Sequence, residues 1–225
     1  MGDIMDEMPD WVHDFVSPPR FKPYLKAASG DVATAVRLYW WNIEVSSAFY
    51  PSLHFLEVAL RNAMHRQLAG TFARDDWWET ASLLKVSLSK VYAARAKLTE
   101  RGRPPKPLTA DDVMAQLSLG FWTSLTSKRH DQILWVPCLH RAFPHYRGAR
   151  ERLHRELDTV RLFRNRIMHH EPIFHRDLGA DRRTILRLLG YLSPRLLEQL
   201  TPYDRVEAVL EQRPVFRPDP GEGDR

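Results

Sequence analysis

A chain of 225 residues with 44% apolar and 27% charged residues can bury a core and stay in solution, which excludes a disordered segment. No apolar run approaches the roughly 18 residues needed to span a bilayer, and a single cysteine, Cys138, excludes an internal disulfide framework. The formal charge of +5 is unevenly spread: residues 1–14 carry five acids and no Lys or Arg, whereas 13 arginines stand against six acids between Arg141 and Arg195.

In chain order the pattern is helix after helix, with no convincing alternating strand, so an all-α fold is expected. The N-terminus lacks the basic and apolar regions of a signal peptide, and with the lone cysteine this makes the cytoplasm the expected location. Asp31 is a good N-cap for a helix over 32–49, which Pro51 is expected to stop. Ser52 would cap a second helix over 52–68, with Gly70 just past its end and Leu53, Leu56, Leu60, Met64 and Leu68 as its core stripe. A third helix is expected over 82–100, then a basic, proline-rich loop over 101–107. Thr109 with Asp112 imitates a capping box ahead of a short helix, followed by an aromatic-rich turn at Leu119, Gly120, Phe121 and Trp122. A long helix begins near Ala149, and shorter ones follow near 181–191, 194–200 and 203–212. Residues 1–213 read as one domain and 214–225, rich in Pro, Gly and charge, as a frayed tail.

The long helix carries the most informative segment, Arg164-Asn165-Arg166-Ile167-Met168-His169-His170-Glu171-Pro172. At about 100° per residue Leu153, Leu157, Val160 and Ile167 share one face, and Arg164 falls in the middle of that stripe. A guanidinium cannot shed its charge there, so it requires a compensating anion, a polar network or a site open toward a phosphate. Pro172 ends the helix and places His169 and His170 in its last turn, where an imidazole can titrate near neutrality. Asn165 lies one turn before His169. Cleaving an RNA phosphodiester without metal needs a base, an acid and cations for the phosphorane oxygens, and these residues are of those types. The same spacing also fits a helix end whose histidines cap the last carbonyls and whose arginine makes an internal ion pair.

The segment resembles the R-N-x-x-x-H signature of Abi-like (abortive infection) proteins in the HEPN superfamily. Two further stretches resemble that family in the same order: Glu57-Val58-Ala59-Leu60-Arg61-Asn62, like its E-x-x-x-R-N helix, and Leu117-Ser118-Leu119-Gly120-Phe121-Trp122, like its L-S-x-G-x-W segment. The resemblance spans about 40–176. It implies a HEPN-like helical bundle with additional short helices and, in many members, a metal-independent ribonuclease acting across a homodimer interface, with Arg164 and His169 as the pair here. The expected function is therefore RNA cleavage by an abortive-infection (anti-phage) or toxin-type effector, with RNA as a partner, an antitoxin of protein or RNA as a second, and no cofactor. The alternative is a catalytically silent helical module that binds RNA or protein.

Around Arg164, Asn165 and His169, the supporting residues expected are Glu57, Arg61, Asn62, Arg161, Arg166 and His170. Glu57, Arg61 and His65 share one side of their helix, either as an exposed ion-pair ladder or as a flank of the motif helix. His170-Glu171-x-x-x-His175 is one residue too long for a zincin and is interrupted by Pro172, so no metal is expected. The tryptophans read as core, with Trp78 or Trp122 the expected exceptions that could stack bases.

Overall fold

The computed structural model describes residues 8–100 and 107–215, and among them there is no β-strand. The fold is all-α. Its α-helices among the described residues are α1 (Pro18–Ala27), α2 (Val32–Phe72), α3 (Lys85–Glu100), α4 (Ala110–Gln116), α5 (Leu119–Leu125), α6 (Arg150–Met168), α7 (Leu178–Leu192), α8 (Pro194–Leu200) and α9 (Val206–Glu211), with single-turn helical segments in the longer stretches between α2 and α3 and between α5 and α6. Most of the expected basic loop, the first half of the acidic N-terminal stretch and the tail from residue 216 lie outside the described residues.

Local chemistry accounts for the boundaries. Asp31 caps α2 by accepting from Ala33 N at 3.1 Å, and Thr109 and Asp112 form the reciprocal box that starts α4. Pro51 does not stop a helix, and Ser52 caps nothing: α2 runs through both for 41 residues. A proline removes one i→i−4 bond, here to the Ser47 carbonyl, and Ser47 is exposed, so water can serve that oxygen. α2 runs through Gly70 to Phe72, and the residue just past its end is Ala73, at φ 54°. α1, for which no helix was expected, opens on Pro18 in the first turn, where a missing N–H costs nothing. The expected aromatic turn is the helix α5. Despite its length, α2 is not apolar enough to cross a membrane, nor is any other helix among the described residues.

The backbone groups into two compact units that alternate along the chain. The first comprises 1–50, 166–180 and 204–225, and the second 51–165 and 181–203. The first unit packs Phe21, Tyr24, Leu38 and Trp41 with Ile173, Phe174 and Val209, all buried. Tyr24 meets Tyr39 edge-on at 5.3 Å and Phe174 at 5.1 Å. The second unit buries the Leu53–Leu68 stripe of α2 and the Leu153, Leu157, Val160 face of α6. Its centre is aromatic: Trp77 lies 5.5 Å from Trp78 and 6.4 Å from Trp122. Trp78 and Trp122 are therefore core, contrary to their expected role as exposed stackers, and the exposed tryptophan is Trp40.

Candidate functional site

In the second unit Glu57 of α2 stands between two arginines. Arg61, one turn along α2, brings Nη2 to 3.9 Å from Oε1, and Arg164 of α6 brings Nε to 3.4 Å from Oε2. The three side chains are 16% (Glu57), 20% (Arg61) and 31% (Arg164) exposed, so the expected exposed ladder is instead half-buried. Neither contact is a well-formed hydrogen bond: the Arg61 contact is too long at 3.9 Å, the Arg164 Nε is poorly aimed at 3.4 Å, and the Nε atoms of both arginines are buried without a hydrogen-bond partner. Arg150, at the start of the same helix, shows what a saturated arginine looks like: it donates to Asp131 Oδ1 at 2.7 Å, Thr126 O at 2.7 Å and Glu151 Oε1 at 2.6 Å. Two guanidiniums on one carboxylate leave a net positive, under-bonded cluster. His65 extends this side of α2, its Nδ1 accepting from Trp77 Nε1 at 3.3 Å, and burial pushes the imidazole below its ordinary value despite Asp75 and Asp111.

In the first unit α6 closes at Met168, so His169 is the cap and His170 lies beyond it, rather than both standing in the last turn. His170 N donates to Ile167 O at 3.0 Å and Glu171 N to Arg166 O at 2.9 Å, the paired bonds of a Schellman motif. His170 holds the left-handed position of that motif at φ 56°, where glycine is the ordinary occupant. Both imidazoles are exposed. Arg20 donates to the His170 carbonyl at 3.3 Å, and Arg166 lies 3.8 Å from Glu171.

The segment after the histidines is gripped from two sides. Asn42 of α2, only 4% exposed, accepts with Oδ1 from Ile173 N at 2.8 Å and Phe174 N at 3.2 Å. Arg213 donates to Phe174 O at 2.9 Å while its guanidinium lies 5.5 Å over the Trp41 ring. Beside this segment Met168 and His170 line a cleft of about 600 Å³ with Arg20, Tyr39, Asn42 and Tyr50. Sequence reasoning missed Asn42, Arg20 and the tyrosines. The signal for Asn42 was a short amide following Trp40-Trp41 inside an apolar helical face.

The other expected residues disperse. Asn165 is half-buried where α6 leaves the second unit. Asn62 is exposed and lines a separate groove of about 380 Å³ with Arg66 and Arg141. Arg161 is bound at Nε by Asp158 at 2.7 Å and faces Gly120, where an added Cβ would come within 3.3 Å of its Cδ. No group of three or more His, Cys, Asp or Glu side chains is arranged to hold a metal among the described residues. Comparison of the chain with protein-family models, with curated proteins and with solved structures finds no match.

Proposed function

We propose that the chain is a metal-independent endoribonuclease of the Abi-like, HEPN type, an abortive-infection or toxin-type effector that works in the cytoplasm as a homodimer. The observation that carries this reading is the under-bonded arginine pair at Glu57. It joins two of the stretches that resemble the family, and leaves the Nε of Arg164 buried without a hydrogen-bond partner. A planar guanidinium so placed can hold two phosphate oxygens and neutralise the charge that grows on them. His169, exposed at the end of the same helix, supplies the proton transfer. The RNA 2′-OH attacks its own phosphorus, its proton passing to a base, and the P–O5′ bond breaks as an acid protonates the leaving oxygen. The products are a 2′,3′-cyclic phosphate and a 5′-hydroxyl. The cleft beside His170, within the first unit, has the volume to hold a nucleotide. An antitoxin, protein or RNA, would then be needed to restrain the effector.

A second reading has its own observation. The Arg164–Glu57 contact is also the internal ion pair that a purely structural arginine would make, in a silent module that binds RNA or protein without cutting it. One experiment separates the two: RNA incubated in EDTA with the native chain, His169→Ala and Arg164→Lys, followed by end-group analysis. The nuclease reading expects cyclic or 3′-phosphate ends with the native chain alone. Binding without cleavage by the native chain, or equal cleavage by His169→Ala, removes it.

A further inference from the structure

The second unit contains another cleft, also of about 600 Å³, built from the start of α3, α5, the turn after it and the outer side of α6. Its charge is one-sided. Lys90, Lys128, Arg129 and Arg161 line it against the single acid Asp158, and Asp158 is already taken by Arg161. Lys90, Lys128 and Arg129 have no acidic partner among the described residues, and all three are exposed. Three adjacent unpaired cations in a concave site call for an anion.

The floor is polar and ordered. His130, 2% exposed, brings Nδ1 to 3.1 Å from Ser124 O and Nε2 to 3.3 Å from Ser87 Oγ. A carbonyl can only accept, so Nδ1 carries the hydrogen and Nε2 accepts from Ser87. Ser124 spends its own proton on Phe121 O at 2.6 Å. Ser87 and Ser124 therefore offer lone pairs to an occupant, acceptors suited to sugar hydroxyls or a base amino group. Thr123, 1% exposed and part of the same lining, has its hydroxyl buried with no partner, a deficit that an occupant can relieve. Leu84 and Val86 add an apolar ledge. His154 is fixed through Nδ1 to Thr126 Oγ1 at 2.9 Å, which leaves Nε2 unused.

We infer that this cleft binds a nucleoside phosphate, its phosphate held by Lys90, Lys128 and Arg129 and its sugar or base seated on the Ser87, Thr123 and Ser124 floor. The ligand is either a free nucleotide or one unit of an RNA strand, and neither Arg164 nor His169 lines the cleft, although Arg161, expected to support them, does. The volume is that of a small-ligand pocket. The inference does not depend on the chain being a nuclease.

The test is calorimetric titration of the full chain with ADP, adenosine, inorganic pyrophosphate and a 2′-O-methylated RNA hexamer that cannot undergo 2′-OH cleavage. ADP or the hexamer should bind one-to-one, more tightly than adenosine or pyrophosphate and more weakly as salt rises. A hexamer preferred over ADP identifies the source as RNA; equal or weaker hexamer binding identifies it as a free nucleotide. Lys128→Gln/Arg129→Gln, which changes two exposed side chains, should weaken binding at least tenfold at an unchanged melting temperature, while Lys97→Gln, an exposed lysine outside the cleft, binds as the native chain does. Thr123→Val, which removes an unpartnered hydroxyl, should weaken binding without loss of stability. No saturable binding of ADP or hexamer at millimolar concentration, adenosine or pyrophosphate binding as tightly as ADP, or unweakened binding by the Gln double variant overturns the inference.

Discussion

Asn42→Ala is the sharpest probe of how the histidine segment is held. The native amide oxygen accepts two backbone N–H groups, from Ile173 at 2.8 Å and Phe174 at 3.2 Å, at a residue that is almost wholly buried. Removing it orphans both donors, each worth about 1–3 kcal/mol when left unpaired and dry. Water entering the space vacated by the amide would recover part of that, so a net loss of about 3 kcal/mol is expected, a large share of the 5–15 kcal/mol typical of a domain. For a chain of this length that lowers the melting temperature by about 6–12 °C. Calorimetry should show the drop, and hydrogen exchange should locate it, with the Ile173 and Phe174 amides exchanging faster than the rest of the first unit. Asn42→Asp keeps an oxygen for both donors and should lose less than the alanine variant. An alanine variant that melts within about 2 °C of the native chain, with unchanged exchange at those two amides, would refute the reasoning.

Glu57→Gln removes the carboxylate between two half-buried guanidiniums, and its cost should fall between that of an exposed and a buried pair, about 1–2 kcal/mol by urea unfolding; no loss would mean that Arg61 and Arg164 are held by packing alone. His170→Gly relieves a left-handed φ of 56° and should gain up to about 1 kcal/mol. If RNA cleavage falls while stability rises, the strained imidazole serves chemistry, and if both are unchanged neither strain nor chemistry resides there. Stability should also decline on acidification. Burial, the largest cause in each case, lowers His65, His130 and His175 below the ordinary imidazole value, so the folded chain takes up fewer protons than the unfolded one. The contribution is complete above the unfolded value of about 6.5 and is lost as pH falls through the depressed folded values. A melting temperature that does not fall between about pH 7.5 and pH 5.5 would contradict this.

Periodicity and caps carried most of the fold into view. The Leu53–Leu68 stripe, the Thr109–Asp112 box and the three helices after the motif are local signals, set by chemistry within a few residues, and they appear where expected. Proline misled at Pro51, because the loss of one hydrogen bond is decided by whether the freed carbonyl meets water and not by the proline itself. The half-buried setting of Arg164 follows from its place on the apolar face of α6, but its anion, Glu57, lies more than a hundred residues earlier, and only the fold pairs them. Asn42 was invisible for the same reason: a buried amide in a helix shows its purpose only when the backbone it serves has been located. The burial of Trp78 and Trp122 depends likewise on helices distant in sequence.

The alternation of the two units sets an order on synthesis. A chain emerging from its N-terminus has the whole second unit available once Tyr203 is made, but the first unit waits for Val206 and Val209, which complete its core, and for the Val209 carbonyl, which accepts from Trp41 Nε1 at 2.9 Å. Contacts that span more than 160 residues close late and slowly. Until then Trp41 lacks its hydrogen-bond acceptor and Phe174 lacks the Arg213 donor on its carbonyl, so the segment bearing His169 and His170 is held from one side only. A ribosome-bound chain would thus complete its arginine cluster about ten residues before its histidine segment settled, and removal of residues 204–215 would arrest it in that state.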